Sequence, residues 1–292
     1  MSSIIKAVIP AAGWGTRFLP QTKAIPKEML PVVDKPVIQY VVEEAVASGI
    51  KDVIIITGWQ KKAIEDHFDK SFELEKYLEA TGKIKELNQI KEIAKLANFV
   101  YIRQKSERYG NAIPILMAEP VVGRESFAVI WGDEFIMAKP PRLAQMIEAY
   151  KKYKGVIISA VKLEKREQFW RYGIPAIESF DKNIFRIKNF VEKPGPEKAP
   201  SEFAAHGAYI FPPEIFDIIR NLKPGKSGEI WITDAINELI KKDFPVYGCE
   251  IKNAKYYDTG NKFEYLKTVV EFAVRHPEVG KEFKKYLKNL KF

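Results

Sequence analysis

Residues 7–36 read AVIPAAGWGTRFLPQTKAIPKEMLPVVDKP, an apolar run that leads into a loop of small residues and then into cationic side chains. The loop holds Gly13, Gly15 and Arg17, and Lys23 and Lys27 follow it. Small residues let main-chain amides approach an anion closely, and neighbouring cations repel each other unless an anion lies between them. The stretch therefore predicts a triphosphate site on a βα turn, although an ordinary tight turn shares part of this pattern.

Two common nucleotide loops are excluded by the spacing of these residues. Phe18 stands where the third glycine of the dinucleotide-binding fingerprint is required. A Walker A loop is excluded as well, because no Gly-Lys-Ser/Thr follows at the required distance.

The composition is that of a globular protein with a sizeable core. The 292 residues are 46% hydrophobic and 29% charged, a balance that argues against long disordered spans. The formal net charge is +9, but the basic residues are scattered, and the lysines of residues 281–291 alternate with Phe and Leu. We therefore expect a solvated helix face there and no nucleic-acid partner.

The single cysteine and the hydropathy pattern indicate where the protein works. With Cys249 alone, an intrachain disulfide and a cysteine metal site are both excluded, and Cys249 is predicted to pack as a small hydrophobic residue. No signal-peptide core is visible, and no apolar run approaches the roughly 18 residues of a membrane span. We expect a cytoplasmic protein without a membrane partner.

Strand-length apolar runs alternate with segments of helical period, which predicts an α/β fold with a mostly parallel sheet. Strands are expected at 6–10, 52–57, 98–103, 126–131, 156–161, 205–211, 245–251 and 254–257. Helices are expected at about 36–48, through 60–98 with a break at Gly82, at 112–118 and 141–153, after 227–234 as far as about 242, and from about 263. Residues 184–187 and 189–192 are predicted to be two antiparallel strands, and 172–174 a turn. No long linker is visible, so residues 1–292 are predicted to form a single domain.

Four polar residues further along the chain are candidates for chemistry. Asp133 follows a buried strand, where open α/β sheets bind their ligands, and a carboxylate there suits Mg²⁺, although a helix-cap or turn role is as compatible. Asp258, in Tyr-Tyr-Asp-Thr-Gly-Asn, could complete a metal site or serve only a turn. Glu192 and Lys193 offer a carboxylate for sugar hydroxyls and an ammonium for a phosphate, or form a simple surface pair.

Taken together, these motifs resemble the bacterial-type UTP–glucose-1-phosphate uridylyltransferases (UDP-glucose pyrophosphorylases) of the sugar nucleotidyltransferase family. The similarity is most specific over residues 11–20 and 22–36, a signature some thirty residues long. Further similar segments follow in the family's order and span nearly the whole chain, at 103–105, 171–174, 191–194, 228–236 and 258–260.

The resemblance implies a fold and a reaction. The fold would be a Rossmann-like nucleotide-diphospho-sugar transferase fold, with a mixed, mostly parallel central sheet flanked by helices and a small antiparallel addition. The reaction would be the Mg²⁺-dependent transfer of the uridylyl group of UTP to glucose 1-phosphate by in-line attack on the α-phosphate, giving UDP-glucose and pyrophosphate. Family members are often dimers or tetramers, so a homodimer or homotetramer is expected, with the helices after about residue 263 as candidate contacts.

The resemblance also implies roles for individual residues. Ala11, Ala12 and Gly13 would lie against UTP, and Gly15, Thr16 and Arg17 would hold its phosphates. Lys27 would sit at the reacting phosphates. Glu28 would lie near the base, Gln104 at the uracil edge and Gly110 close to the base. Asp133 and Asp258 would bind Mg²⁺. Gly173, Glu192 and Lys193 would bind glucose 1-phosphate, Lys193 through its phosphate. The charged groups expected to act in catalysis are Arg17, Lys27, Asp133 and Lys193.

Two departures from the family pattern keep alternatives open. Residues 107–112 read Glu-Arg-Tyr-Gly-Asn-Ala where the family commonly has Pro-Leu-Gly-Leu-Gly-His-Ala, and 131–134 read Trp-Gly-Asp-Glu where it usually has Pro-Asp-Asp. Gly-Asp also occurs in the thymidylyltransferase branch, so a glucose-1-phosphate thymidylyltransferase or an enzyme using both UTP and dTTP is the alternative. A non-catalytic nucleotide-sugar-binding regulator would be expected to lack Lys27, Asp133 or Asp258, and all three are present.

Overall fold

The computed structural model describes residues 4–225 and 228–291. Residue 227 of the predicted approach to a helix, and both ends of the predicted 1–292 domain, lie outside the described residues. The strands are β1 (Lys6–Ala11), β2 (Pro31–Val32), β3 (Lys35–Pro36), β4 (Asp52–Thr57), β5 (Asn98–Arg103), β6 (Phe127–Ile130), β7 (Glu134–Ala138), β8 (Val156–Lys162), β9 (Gly173–Asp181), β10 (Ile184–Glu192), β11 (Phe203–Phe211), β12 (Val246–Glu250) and β13 (Ala254–Asp258).

The central element is a nine-stranded sheet with the order β5-β4-β1-β6-β11-β8-β12-β10-β9. All of its strands except β10 and β11 run in the same direction, so the sheet is mixed but mostly parallel. Two short antiparallel sheets, β2–β3 and β7–β13, accompany it. The predicted α/β class, the mixed sheet and its small antiparallel addition are confirmed.

Helices lie between the strands along the chain. They are α1 (Val37–Ala47), α2 (Lys62–Phe68), α3 (Phe72–Ala80), α4 (Ile84–Ile93), α5 (Ile113–Met117), α6 (Glu119–Val122), α7 (Arg142–Tyr153), α8 (Glu214–Asn221), α9 (Ile232–Lys241), α10 (Lys262–Arg275) and α11 (Gly280–Asn289). Among the helices of the described residues, none combines the length and apolar character needed to cross a bilayer.

Alternate side chains of each central strand pack into two separate cores, one on each face of the sheet. In β1, Ala7 and Ile9 belong to the core that contains α1 and α7, whereas Val8 belongs to the core that contains α8 and α9. The same alternation divides the β-branched run of β4, which is buried on both faces as its composition predicts. Hydrophobic burial on both sides therefore fixes the register of these strands.

The structure corrects the prediction for the second half of the sheet. Residues 184–192 form one strand, β10, which pairs along its length with β9 and carries a register irregularity between Arg186 and Asn189. The predicted division into two strands is wrong, because a bulge absorbs the polar interruption without ending the pairing. The predicted turn at 172–174 is also wrong, since Gly173 and Ile174 already belong to β9.

Two further differences concern shorter elements. Residues 134–138, to which no strand is assigned from the sequence, form β7 and pair with β13. The helical region 60–98 is divided into α2, α3 and α4, with the predicted break at Gly82 and a second break at residues 69–71. The pairing of β7 with β13 matters for the site, because it places Asp258 opposite Glu134, the neighbour of Asp133.

Candidate active site

A cleft of about 730 Å³ opens at the carboxyl ends of β1, β4 and β6. Open α/β sheets bind their ligands at this edge, so the cleft is the candidate active site. Of the residues predicted for the nucleotide and metal, the cleft is lined by Ala12, Gly13, Arg17, Lys27, Glu28, Gln104, Gly110 and Asp133.

The glycine-rich loop after β1 folds back tightly on itself. Gly15 has a φ of +67°, and its carbonyl accepts a hydrogen bond from Thr22 Oγ1 at 2.7 Å. A methyl group added at Gly15 would lie 3.2 Å from Thr22 and 3.3 Å from Lys27, so a larger residue would push these side chains aside. Ala11 is buried at the end of β1, and Thr16 is exposed in the loop. Ala11, Gly15 and Thr16 shape the loop but are not among the residues that line the cleft.

Lys27 lies between two carboxylates. Its ammonium donates a hydrogen bond to Asp133 and lies 4.0 Å from Glu28 Oε1. Burial works against the charge of Lys27, but these carboxylates outweigh it and raise the Lys27 pKa above its ordinary value. Burial likewise opposes ionisation of Asp133, but Lys27 and Arg17 outweigh it and lower the Asp133 pKa. Both groups are therefore charged at neutral pH.

Glu28 is held by a second lysine that sequence reasoning missed. Lys61 Nζ donates to Glu28 Oε2 at 2.8 Å, and the two side chains are 8% and 1% exposed. Glu28 Oε1 is buried and has no hydrogen-bond partner within the described residues. Burial raises the Glu28 pKa, and Lys27 and Lys61 oppose this only in part. The one sequence signal for Lys61 is its place just after the C-terminal end of β4, at the edge where ligands bind.

The two predicted metal carboxylates face the same backbone segment. A methyl group added at Gly260 would lie 3.1 Å from Asp258 Oδ1 and 4.0 Å from Asp133 Oδ2. Thr259 Oγ1 donates to the Asp133 carbonyl at 2.5 Å, and Arg17 Nη1 donates to the Gly260 carbonyl at 3.1 Å. The segment 258–260 thus joins the nucleotide loop to the end of β6.

These two carboxylates suit a divalent cation that is shared with a substrate. Asp133 is paired with Lys27, and Asp258 with Arg171 and with Asn261 Nδ2 at 3.0 Å. Within the described parts of the chain, no group of three or more His, Cys, Asp or Glu side chains is placed to hold a metal. Mg²⁺ is commonly held by one or two carboxylates and completes its shell with water and substrate phosphates, so the donor set fits it.

The predicted sugar residues meet at the end of the β9–β10 hairpin. Gly173 pairs with Glu192, and a methyl group on Gly173 would lie 2.3 Å from the Phe190 ring, which leaves room only for glycine. Lys193 follows with a φ of +46°, and its Nζ lies 3.4 Å from Glu192 Oε1. Burial raises the Glu192 pKa above its ordinary value, and Lys193 opposes that rise.

Lys193 connects this hairpin to the cleft through an aromatic ring. Its Nζ lies 4.5 Å from the centre of the Trp231 ring, and Trp231 lines the cleft. Gly173, Glu192 and Lys193 themselves are not among the lining residues. The structure therefore brings most of the residues predicted for the nucleotide together with Asp133 in one cleft, and the residues predicted for the sugar lie next to that cleft.

The predicted base residues sit on a loop fixed to its surroundings. The backbone N–H of Gln104 donates to the Thr57 carbonyl at 2.9 Å, which ties the end of β5 to the end of β4. Gly110 has a φ of +126°, and a methyl group there would lie 2.2 Å from the Ile230 carbonyl oxygen. A glycine is therefore required at this position, where the loop packs directly against the backbone of Ile230.

The family model for nucleotidyl transferases matches residues 6–273. This chain belongs to that family. The transferase is 44% identical over 287 residues to UTP–glucose-1-phosphate uridylyltransferase 1 of Staphylococcus saprophyticus, covering 98% of this chain and 99% of the relative. Enzymes of the family generally use a divalent metal ion.

Solved structures agree with this assignment. A UTP-bound UGPase from Acinetobacter baumannii superposes with a TM-score of 0.90 at 36% identity, covering 99% of this transferase and 100% of that chain. A UDP-glucose pyrophosphorylase complexed with UDP-glucose superposes with a TM-score of 0.84 at 40% identity, covering 94% and 100% of the two chains.

Beyond Lys61, the structure of this transferase adds three residues to the site. Arg171 pairs with Asp258, Trp231 lies beneath Lys193, and Glu134 accepts a hydrogen bond from Tyr256 at 2.6 Å. Burial raises the Glu134 pKa to about 7. Arg171 and Trp231 stand within or beside the similar segments 171–174 and 228–236, but a sequence match gives no partner for either side chain.

Proposed function

We propose that this nucleotidyl transferase transfers the uridylyl group of UTP to glucose 1-phosphate, giving UDP-glucose and pyrophosphate. The observation that carries the proposal is that Arg17, Lys27 and Asp133 line one cleft. Asp258 lies close by, because the carboxylates of Asp258 and Asp133 both face Gly260. Relatives named for this reaction, at 44% identity over nearly the full chain, support the choice of substrates.

Catalysis of this reaction requires mainly that the protein neutralises negative charge and positions the two substrates. A phosphate oxygen of glucose 1-phosphate is already an anionic nucleophile, so the reaction requires no general base. The barrier is the repulsion between two anions brought in line, which Arg17 and Lys27 on the nucleotide and Lys193 on the sugar phosphate lower. Mg²⁺ held by Asp133 and Asp258 would neutralise further phosphate charge. Holding both substrates in line supplies the remaining acceleration.

The resemblance gives the other residues their proposed roles, and the cleft and the adjoining hairpin support most of them. Ala11, Ala12 and Gly13 carry the nucleotide against the end of β1, and Gly15 and Thr16 shape the loop around its phosphates. Gln104 and Gly110 meet the base, with Glu28 nearby, and Gly173 and Glu192 hold the sugar. The support is the shared cleft for Ala12, Gly13, Glu28, Gln104 and Gly110, and the adjoining hairpin for Gly173 and Glu192.

A thymidylyltransferase, or an enzyme that uses both nucleotides, is the second candidate. The Gly132-Asp133 pair, which also occurs in the thymidylyltransferase branch, favours it, and the departure at residues 107–112 leaves the choice of base open because Tyr109, Gly110 and Asn111 all line the cleft. Uracil and thymine differ by one methyl group, which is worth only about 1–3 kcal/mol in a pocket. A non-catalytic regulator is disfavoured, since Lys27, Asp133 and Asp258 are all retained.

The test is pyrophosphate release from glucose 1-phosphate and Mg²⁺ with UTP or dTTP as the nucleotide. We expect release with UTP, its loss on chelation by EDTA and its recovery with added Mg²⁺. A clear preference for dTTP would replace the proposed substrate, and no release with either nucleotide would remove the proposed activity.

The proposal also covers the domain organisation, the oligomeric state and the cellular location of the protein. A single domain is supported by one sheet that takes strands from both halves of the chain. A homodimer or homotetramer is supported by Phe263 and Leu266 of α10, which are 69% and 59% exposed. A cytoplasmic setting is supported by the single cysteine of the sequence, Cys249, which is buried and forms no disulfide. Light scattering of the purified protein measures the oligomer directly, and a monomer at micromolar concentration would contradict it.

A further inference from the structure

Residues 109–112, part of the segment 107–112 that departs from the family pattern, are hydrogen-bonded to Ile230 and Ile232, the two neighbours of the cleft residue Trp231. The Ile230 N–H donates to the Tyr109 carbonyl at 2.8 Å, and the Ala112 N–H donates to the Ile230 carbonyl at 3.2 Å. Asn111 adds a side-chain bond, since its Oδ1 accepts from the Ile232 N–H at 2.7 Å. Backbone bonds and one side chain therefore join the two segments.

The Asn111 bond has a defined place in the fold. Ile232 is the first residue of α9, and the first N–H groups of a helix have no partner within the helix. Asn111 thus caps α9 from a loop 121 residues away in the chain. Trp231 is the residue before α9, and both of its neighbours are held by hydrogen bonds. Ile232 is bonded to Asn111, and Ile230 is bonded to Tyr109 and Ala112.

Trp231 in turn supports the lysine of the sugar half. Lys193 Nζ lies over the Trp231 ring at 4.5 Å, an arrangement in which the ring face attracts the cation. The backbone of Lys193 is fixed as well, because its N–H donates to the Tyr172 carbonyl at 3.1 Å. The Trp231 ring, together with Glu192 Oε1 at 3.4 Å, therefore sets the position of the Lys193 ammonium.

We propose that Asn111 is a positioning residue for glucose 1-phosphate: by capping α9 it fixes Trp231, and through Trp231 it places the Lys193 ammonium for the sugar phosphate. The inference rests on the proposed function and assigns to the departing segment a role toward the sugar in addition to its place beside the base. Because Asn111 itself lines the cleft, the rival role is a direct contact with the nucleotide.

The kinetic test separates these two roles by the substrate whose KM changes. In Asn111→Leu, the KM for glucose 1-phosphate is expected to rise about fivefold to tenfold, a factor typical of one lost hydrogen bond, with the KM for UTP within about twofold. Asn111→Asp keeps the Oδ1 acceptor and is expected to keep the KM for glucose 1-phosphate within about twofold of the wild type. Trp231→Leu is expected to raise the same KM, and the double variant should be no worse than the poorer single variant.

The matched control is Asn183→Leu. Asn183 also bonds a backbone group, the Glu250 carbonyl at 3.1 Å, but it precedes β10 at the end opposite Glu192. A rise in the KM for UTP alone, an unchanged KM for glucose 1-phosphate, or an equal change in Asn183→Leu would each overturn the inference.

A second readout is independent of the reaction. Hydrogen exchange at the Ile232 amide is expected to be faster in Asn111→Leu than in the wild type and unchanged in Asn111→Asp, and equal exchange in all three proteins would overturn the capping step. If the wild type forms no UDP-glucose although this exchange pattern holds, the proposed function fails while the capping bond stands. If the wild type is active and the KM for glucose 1-phosphate is unchanged in the leucine variant, the inference alone fails.

Discussion

Replacing Lys61 with methionine tests whether the buried Glu28 carboxylate depends on this one cation. Lys61 Nζ donates to Glu28 Oε2 at 2.8 Å, and the next cation, Lys27 Nζ, lies 4.0 Å from Oε1. Methionine retains most of the apolar stem of lysine without its charge. The variant therefore leaves Glu28, which is 1% exposed, with a single distant cation.

The size of the effect follows from the two ways in which Glu28 can respond. An unpaired buried charge costs about 3–5 kcal/mol. Protonation is the alternative, and for a carboxyl group with an ordinary pKa of 4.5 it costs about 3.4 kcal/mol at pH 7 and about 0.7 kcal/mol at pH 5, at 1.36 kcal/mol per pH unit. Burial already raises the Glu28 pKa with Lys61 in place, and removing this cation raises it further, so we expect the variant to follow this second route.

We therefore expect Lys61→Met to lower the free energy of unfolding by about 3 kcal/mol at pH 7 and by about 1 kcal/mol at pH 5. The sign follows from the proton balance. A folded-state pKa above the unfolded value of 4.5 means that the variant takes up a proton on folding, and this becomes more costly as the pH rises.

Urea unfolding at pH 5, 6 and 7 measures these differences, with Lys62→Met as the control because Lys62 is the exposed neighbour. Adding Glu28→Gln to Lys61→Met removes the titrating group, so the double variant is expected to lose the pH dependence. A Lys61→Met variant as stable as Lys62→Met at pH 7, or a loss of stability that is equal at pH 5 and pH 7, would refute the reasoning.

Three other predictions concern single residues. Lys27→Ala is expected to lower the rate of pyrophosphate release by about 10²-fold, the loss typical of one transition-state donor, and near-normal release would contradict the role of Lys27. Burial, with Arg142 and Arg171, lowers the His206 pKa from 6.5 to about 3, so the unfolded chain binds a proton that the folded protein does not, and stability is lost as the pH falls below 6.5. Between pH 7 and pH 5, His206→Gln should therefore lose about 2 kcal/mol less free energy of unfolding than the wild type, and equal losses would show that His206 is protonated in the folded protein. Burial raises the Cys249 pKa to about 12, so a thiol reagent at pH 8 should leave the native protein unmodified and label one thiol in urea.

Strands with clear burial patterns could be predicted from the sequence, whereas strands defined by their partners could not. Residues 53–56 of β4 are β-branched and apolar without a break, and their burial on both faces of the sheet could be predicted from this run alone. β10 is different, because Lys188 and Asn189 interrupt its apolar pattern and its continuity depends on pairing with β9. β7 likewise exists only because β13, more than a hundred residues later, lies beside it.

In the candidate site, the residue types could be predicted from the sequence, whereas the pairs that their side chains form could not. The glycine loop, Lys27 and Asp133 carry local signals, namely small residues, charge and a place at the end of a strand. Their pairing does not, since Lys27 and Asp133 are 106 residues apart. Lys61 carried almost no signal, because a lysine in a helical region is most often solvated, and only the fold shows that it is buried against Glu28.

The charges of the site are balanced internally, and this constrains the ligands that it fits. Lys27 is paired with Asp133, and Lys193 lies near Glu192, so both lysines expected to meet phosphates already have carboxylate partners. A polyphosphate that took these cations alone would leave Asp133 and Asp258 facing further negative charge. A nucleotide bound together with a divalent cation would avoid this cost, because Asp133 and Asp258 would hold the cation and Lys27 would be available to the phosphates. The pairing of acids with bases in this cleft therefore argues for a metal–nucleotide complex as the ligand, and against a free anion.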